Sequence, residues 1–226
     1  MILLEDVKKD VSTFFKANKE FFFNERDFQM HLAVALKNTG RYDDVFVEYS
    51  IPLAYIEKNI GGKINLKESD IRIDIVVSKD GRFCPIELKY KTKRIEDVQI
   101  NRFGHLMSGE FLVKDQGAQD LGRYGLWKDV YRIELLRNSF SDSIDGGFAI
   151  FLTNDNSYTL PPKSQTVNYF EFSMEEGWHG KSKSWHKPQG KIAKDHPDFI
   201  LDKEYRITWN ETIYCKTKFF YCITQI

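Results

Sequence analysis

The sequence predicts a mixed α/β fold, an α+β arrangement around a mixed sheet, and three observations carry the prediction. The apolar period changes from 3.6 residues over 24–37 to 2 residues over 70–90. Two of the period-2 runs, DIRIDIVV and RFCPIELKY, are joined by the polar link SKDG, which reads as a tight turn between antiparallel strands. A long helical pattern then leads into GGFAIFLTN, a continuous apolar run that reads as a buried strand. The 226 residues are 42% apolar and carry no repeat or low-complexity linker, so residues 1–226 are expected to form a single domain around an ordinary core.

The first clear element is NERDFQMHLAVALKNTG, in which Asn24 can cap, Asp27 follows three residues later and Gly40 stands after the last turn. At 100° per residue Phe28, Leu32 and Leu36 form its buried stripe, and Glu25 falls on the same stripe, pointing its carboxylate inward. Glu25 equally suits the positive end of the helix dipole. VFVEYSIPLAYI reads as a strand before a Gly-Gly turn near residue 61. AQDLGRYGLWKDVYRIELLRNS is a helix with Leu121, Tyr124, Trp127, Tyr131 and Leu135 as apolar positions, and KEYRITWN and KFFYCITQI are two further strands.

Lysine plus arginine equals aspartate plus glutamate at 33 each, which removes the signal of a strongly basic chain. No run is long and apolar enough to cross a bilayer, and MILLEDVKKD turns acidic too early for a secretory signal, so no membrane partner and a cytoplasmic setting are expected. Cys84, Cys215 and Cys222 lack paired close spacing and are expected as buried thiols. His179, His186 and His196 match no zinc spacing.

In the hairpin, Ile71, Ile73, Ile75 and Val77 alternate with Asp70, Arg72, Asp74 and Val76, while Cys84, Ile86, Leu88 and Tyr90 alternate with Pro85, Glu87 and Lys89. A turn over Ser78–Gly81 sets Asp74 opposite Pro85 and Glu87 on the same face, one diagonal step away. Together with Glu25 this makes three carboxylates and an ammonium. Converging carboxylates need a shared proton or a cation, and an all-oxygen set suits Mg²⁺, then Mn²⁺. Such an ion polarises a phosphoryl oxygen and lowers the pKa of a bound water, while a nearby lysine orients that water and steadies the developing charge. That chemistry is phosphodiester hydrolysis.

The pattern RIDIVV…PIELK, with Asp74 followed after twelve residues by Glu87, Leu88 and Lys89, resembles the PD-(D/E)xK nuclease superfamily, which includes the restriction endonucleases. Glu25 is similar to the acid found on that superfamily's first core helix. The resemblance implies a restriction-endonuclease-like αβββαβ core over about residues 24–153 with a C-terminal β elaboration over about 154–226. It implies a divalent-metal-dependent nuclease acting on nucleic acid, with DNA the expected substrate, Mg²⁺ or Mn²⁺ as cofactor and a homodimer as an available assembly. Asp74, Glu87 and Glu25 are its implied metal ligands, and Lys89 acts with them in catalysis. Lys91, Lys93 and Arg94 leave the strand just after Lys89 and are candidates for backbone contact. Asp120, Arg123 and Tyr124 on the later helix read as structural or as approaching the site, and Arg123 is carried as a further nucleic-acid contact.

Three other readings compete. Asp74, Glu87 and Lys89 could form a cross-strand salt-bridge ladder on a wet face, which would not explain the apolar residues flanking them. A glycosidase pair of Glu87 and Asp74 makes no use of Lys89. A nuclease-like domain that binds nucleic acid or protein without cutting would keep the fold and lose the metal. In EEGWHGKSKSWHKPQGK, Trp178 and Trp185 alternate with Lys181, Lys183 and Lys187, as base stacking beside phosphate contacts would require, or as a mobile loop tip with no ligand.

Overall fold

A helix precedes the first element expected from the sequence. The structure, a computed structural model, describes residues 2–18, 20–64, 66, 68–96, 99–107, 112–187 and 195–226. Helix α1 spans Ile2–Ala17 and buries Leu3, Val7, Val11, Phe14 and Phe15. That spacing is a helical stripe legible in the sequence, hidden there by the lysines and acids of the opposite face. Helix α2 spans Glu25–Asn38; the Asn24 side chain accepts from Asp27 N–H at 2.9 Å, and Asp27 Oδ2 accepts from Phe23 N–H at 2.9 Å. These bonds satisfy donors that a helix start leaves open. Phe28, Leu32 and Leu36 face the core as expected, and full burial of Phe28 contributes about 2–3 kcal/mol.

Strand β1 covers Asp44–Pro52 and helix α3 covers Leu53–Ile60. The strand expected to continue through Ile56 therefore stops at Pro52. Proline has no N–H to extend the ladder, and Leu53 and Ile56, three apart, bury one helical face. Gly61, at φ 68°, ends α3 in the left-handed conformation that glycine adopts without strain.

Strands β2 (Asp70–Lys79) and β3 (Arg82–Lys91) form the expected antiparallel hairpin, with Lys79 opposite Arg82, Val77 opposite Cys84 and Val76 opposite Pro85. The register is thus two residues away from the expected one. Asp80 and Gly81 both have positive φ, 51° and 73°, so the turn is a two-residue loop rather than the four residues of SKDG. A shift of two preserves every face. A short hairpin follows, β4 (Ile100–Arg102) and β5 (His105–Met107), then helix α4 (Gln119–Ser139) and strand β6 (Phe148–Thr153).

After β6 come β7 (Gly177–His179), β8 (Ser182–Lys183), β9 (Phe199–Ile200), β10 (Tyr205–Ile207), β11 (Trp209–Tyr214) and β12 (Thr217–Gln225). KEYRITWN therefore divides: β10 pairs with β7 in a small sheet, while β11 joins the main one. The main sheet has six strands in the order β1-β2-β3-β6-β12-β11, antiparallel except for the parallel pair of β3 and β6 that α4 connects. The described residues thus form a mixed α/β structure with a six-stranded mixed sheet and four helices.

Helices α1 and α2 cover one face of this sheet, over Ile75, Ile86, Leu88, Tyr90 and Ile150. Helix α4 and the described stretches 158–187 and 195–207 cover the other, over Ala149, Phe151 and Cys222. All of β6 is buried, as expected of a strand covered on both faces. The face predicted for Ile71, Ile73, Ile75 and Val77 divides at Asp74: Ile71 and Ile73 pack with α3 and the end of α4 instead. At that level in β1 lies Glu48, whose φ of 53° breaks the pleat. Cys84 and Cys222 are buried, and Cys215, in the turn before β12, is exposed.

Candidate active site

The ladder between β2 and β3 stops at Ile75 and Ile86. One further step would set Asp74 opposite Glu87, but the strands part there, and β3 continues with only β6 along its other edge. Parting deprives backbone donors of β3 of strand partners, and buried donors have to be satisfied. Two carboxylates do this. Asp74 Oδ2 accepts from Leu88 N–H at 2.7 Å, and Glu25 Oε2 accepts from Tyr90 N–H at 2.8 Å. The two donors stand two residues apart on one strand, about 7 Å. Gln29, one turn beyond Glu25, donates its Nε2 to the Asp74 carbonyl at 2.7 Å and to Glu48 Oε1 at 3.1 Å, tying α2 to β1 and β2 at the fork.

Glu87 and Lys89 meet α4. Glu87 is 1% exposed; its Oε2 accepts weakly from Asp74 N–H at 3.4 Å and its Oε1 lies 3.0 Å from an Arg132 guanidinium nitrogen. Lys89 Nζ lies 2.8 Å from Asp129 Oδ2 and donates to the Leu88 carbonyl at 3.1 Å. Asp129 also approaches Arg132 at 3.4 Å. Glu87 Oε1 and Asp129 Oδ2 take no hydrogen bond and are compensated by these ion pairs alone. Gly125 admits the lysine stem beneath α4, since a Cβ there would sit 3.2 Å from Lys89 Cε.

Four carboxylates, of Glu25, Asp74, Glu87 and Asp129, surround two basic groups, Lys89 and Arg132, a formal excess of two negative charges. Burial pushes the Asp74 carboxyl up to about 6, with Lys89 pulling it down and Asp129 and Glu25 adding to the rise. Burial also lifts Glu87 well above the ordinary glutamate range against the pull of Arg132. For Lys89, burial favours the neutral amine, but Asp129, Glu25, Glu87 and Asp74 outweigh it and hold the ammonium charged.

Among the described residues no three His, Cys, Asp or Glu side chains stand together as a ready-made cation cage. The geometry gives the reason. Glu25 is spent on Tyr90 N–H, and Glu87 is drawn toward Arg132. Even so the donor set is all oxygen, carries excess negative charge and includes a buried carboxylate oxygen without a hydrogen bond, features that fit a hard divalent cation. Asp74 and Glu87, with Glu25 beside them, are the residues that would hold it.

Asp129 and Arg132 were not singled out in the sequence. A signal was present, because Leu126, Asp129, Ile133 and Leu136 recur at three, four and three along α4, placing an acid on an apolar stripe, as with Glu25. Among the expected nucleic-acid contacts, Lys91 ends β3 half-buried, Lys93 Nζ lies 3.1 Å from Asp155 Oδ1, and Arg94 Nε lies 2.6 Å from Glu96. Arg123 differs from the expectation. It is 4% exposed, lies over the rings of Tyr158 and Tyr169 at 4.9 and 4.4 Å and donates to the Ser157 carbonyl, so it packs the core and presents nothing to a phosphate.

The Trp- and Lys-rich segment is also corrected, as far as residue 187; residues 188–194 lie outside the described ones. Trp185 is buried and stacked on Tyr124, its Nε1 donating to the His196 carbonyl, while Trp178 stays exposed. Lys183 is buried with its ammonium 3.9 Å from the Trp127 ring centroid and donating to the Glu171 carbonyl. Burial lowers the Lys183 amine to about 8. Because the folded value lies below the unfolded one, the charged lysine opposes folding below pH 8, and the cost fades as pH rises toward the ordinary lysine value. Lys183→Met is accordingly expected to raise neutral-pH stability by about 1–3 kcal/mol and to abolish a gain in stability between about pH 8 and 10. Denaturant titrations of both proteins across that range check it; parallel stability curves would contradict the burial.

No family model, curated protein or solved structure matches the chain. No helix among the described residues is long and apolar enough to cross a membrane.

Proposed function

We propose that the chain is a divalent-metal-dependent nuclease of the PD-(D/E)xK kind that hydrolyses phosphodiester bonds, with DNA as the substrate. The observation that carries the reading is the fork between β2 and β3, where Asp74, Glu87, Lys89 and the helix acid Glu25 gather, with carboxylates outnumbering basic groups by two. The order from α2 to β6 supports it: helix, three strands, helix, strand, with α3 and the β4–β5 hairpin as insertions and β11 and β12 extending the sheet. On this reading residues 1–226 act as one nuclease domain.

In this mechanism Asp74 and Glu87 would hold the cation, with Glu25 nearby. The cation would polarise a phosphoryl oxygen and acidify a bound water. Lys89, kept charged by Asp129, supplies a fixed ammonium toward the attacking water or the scissile phosphate. Lys91, Lys93 and Arg94, at the exit of β3, meet the nucleic-acid backbone. The test is incubation of the purified protein with labelled DNA and RNA substrates, single- and double-stranded, in Mg²⁺, in Mn²⁺ and in chelator. Metal-dependent cleavage is expected; its absence on every substrate would count against the reading.

A second reading rests on a specific observation: Glu87 and Lys89 are both engaged by α4 charges. A nuclease-like binding domain that no longer cuts would look like this. Titration of the isolated protein with Mn²⁺ separates the two, since saturable binding lost in Asp74→Ala belongs to the enzyme.

A further inference from the structure

Among the described residues between Lys93 and Gln116 two antiparallel pairings stand out, Ile95 with Val113 at the edge of the core and β4 with β5. The first is held by Gln116 N–H to the Thr92 carbonyl at 2.8 Å, Leu112 N–H to the Ile95 carbonyl at 2.8 Å and the Thr92 hydroxyl to the Lys114 carbonyl at 3.0 Å, and Ile95, Leu112 and Val113 are buried. The second, of β4 and β5, is a hairpin whose turn residues are Phe103 and Gly104. Both have positive φ, 53° and 81°. Such a turn favours Asn or Gly at its first position, and a bulky aromatic there is strained. The ring gains nothing from the fold in return, being 100% exposed, and Leu106 beside it is 65% exposed. The stretch 99–107, QINRFGHLM, contains Arg102 and His105 and no acid, and in the chain it follows the strand that carries Glu87 and Lys89, after Lys91, Lys93 and Arg94.

We infer that the β4–β5 hairpin is a wedge whose Phe103 ring inserts between stacked bases of a DNA duplex, opening or kinking it beside the β2–β3 fork. The inference rests on the nuclease reading and adds its substrate geometry: a base-paired strand that has to be deformed to be seated. Apolar side chains on arms that meet nucleic acid act in this way, unstacking one base step to gain contact along a bent backbone. The acid-free stretch 99–107, with Arg102 and His105, and Lys91 at the end of β3 supply the charge match to phosphate, while Lys93 and Arg94 are paired with Asp155 and Glu96. A strained, solvent-exposed phenylalanine gains burial only when the partner arrives.

The decisive variant is Phe103→Asn, which removes the ring and places a favoured residue before Gly104, so the hairpin is kept. The probe is a short DNA duplex carrying the fluorescent base analogue aminopurine, titrated in chelator so that nothing is cut. The wild-type protein is expected to bind and raise the fluorescence by unstacking, and Phe103→Asn to bind about tenfold more weakly without that rise, at unchanged or higher thermal stability. If Phe103→Asn binds and unstacks like wild type, the wedge is wrong and the nuclease reading stands. If wild type binds no duplex, the wedge is wrong, and the nuclease reading is decided separately by the metal-dependent cleavage panel. If sedimentation without DNA shows a dimer that Phe103→Asn dissociates, the ring serves a second copy of the chain and the wedge is overturned.

Discussion

Lys89→Ala is expected to lower cleavage by about 10²-fold or more while leaving divalent-cation affinity largely intact, the scale of one positioned electrostatic group. Lys89 shares its strand face with Glu87, and its Nζ is steered by Asp129 at 2.8 Å rather than bound to Asp74 or Glu87. Its loss therefore removes a charge from the reacting region without removing a ligand. Asp74→Ala should abolish both cation binding and cleavage. Replacing Lys91 and Lys93 together should weaken nucleic-acid binding and flatten its salt dependence without stopping turnover at saturating substrate. Calorimetric cation titration, a single-turnover cleavage assay and a thermal melt on each variant make the comparison. Should Lys89→Ala cut every substrate at the wild-type rate, the motif is not catalytic and a structural ion-pair network becomes the better account.

Arg132→Ala is expected to cost about 3–5 kcal/mol of stability, a fall in Tm of about 10 °C. The guanidinium faces Glu87, almost wholly shielded from water, and also donates to the Arg72 carbonyl. Without it a buried carboxylate has no counter-charge and has to take up a proton. The same substitution tests the metal. If Glu87 is a ligand, Mg²⁺ or Mn²⁺ can replace the lost positive charge, so saturating cation should raise the Tm of Arg132→Ala more than that of wild type. Cation at about a hundred times its Kd returns about 2.7 kcal/mol. An equal shift in both proteins would remove Glu87 from the cation site, and an unchanged Tm in the variant would show that the pair carries little of the local stability.

Parts of this arrangement are legible in the sequence because they depend on local periodicity. The stripe that aims Glu25 inward is set by 3.6 residues per turn, and alternation along β3 puts Glu87 and Lys89 on one face whatever the strand pairs with. The register shows the limit of this reading: Asp80 and Gly81 make the turn two residues shorter than SKDG suggests, and the even shift keeps the faces of the paired stretch Ile75–Lys79 and Arg82–Ile86, while beyond Asp74 the face of β2 changes sides. What periodicity does not contain is where a ladder ends. The fork at Asp74 and Glu87 follows from Glu48 breaking the pleat in β1 and from Gln29 and Glu25 reaching across from α2.

Charged residues in the second half show the same division. Arg123, Lys183 and Trp185 carry the chemistry expected of a nucleic-acid face, and the fold places them between α4 and the segment that follows β6. Long side chains with apolar stems and aromatic partners bury as readily as they extend, and composition does not distinguish the two outcomes. Local spacing carries the order α2, the β2–β3 hairpin, α4 and β6, the inward face of α2 and the common face of Glu87 and Lys89, because each depends on residues a few positions apart. The pairing of Lys89 with Asp129 and of Glu87 with Arg132, the parting of the strands beside them and the burial of Arg123 come from the closed fold. Those outcomes depend on contacts between segments tens of residues apart, whose energies exist only once the sheet has closed.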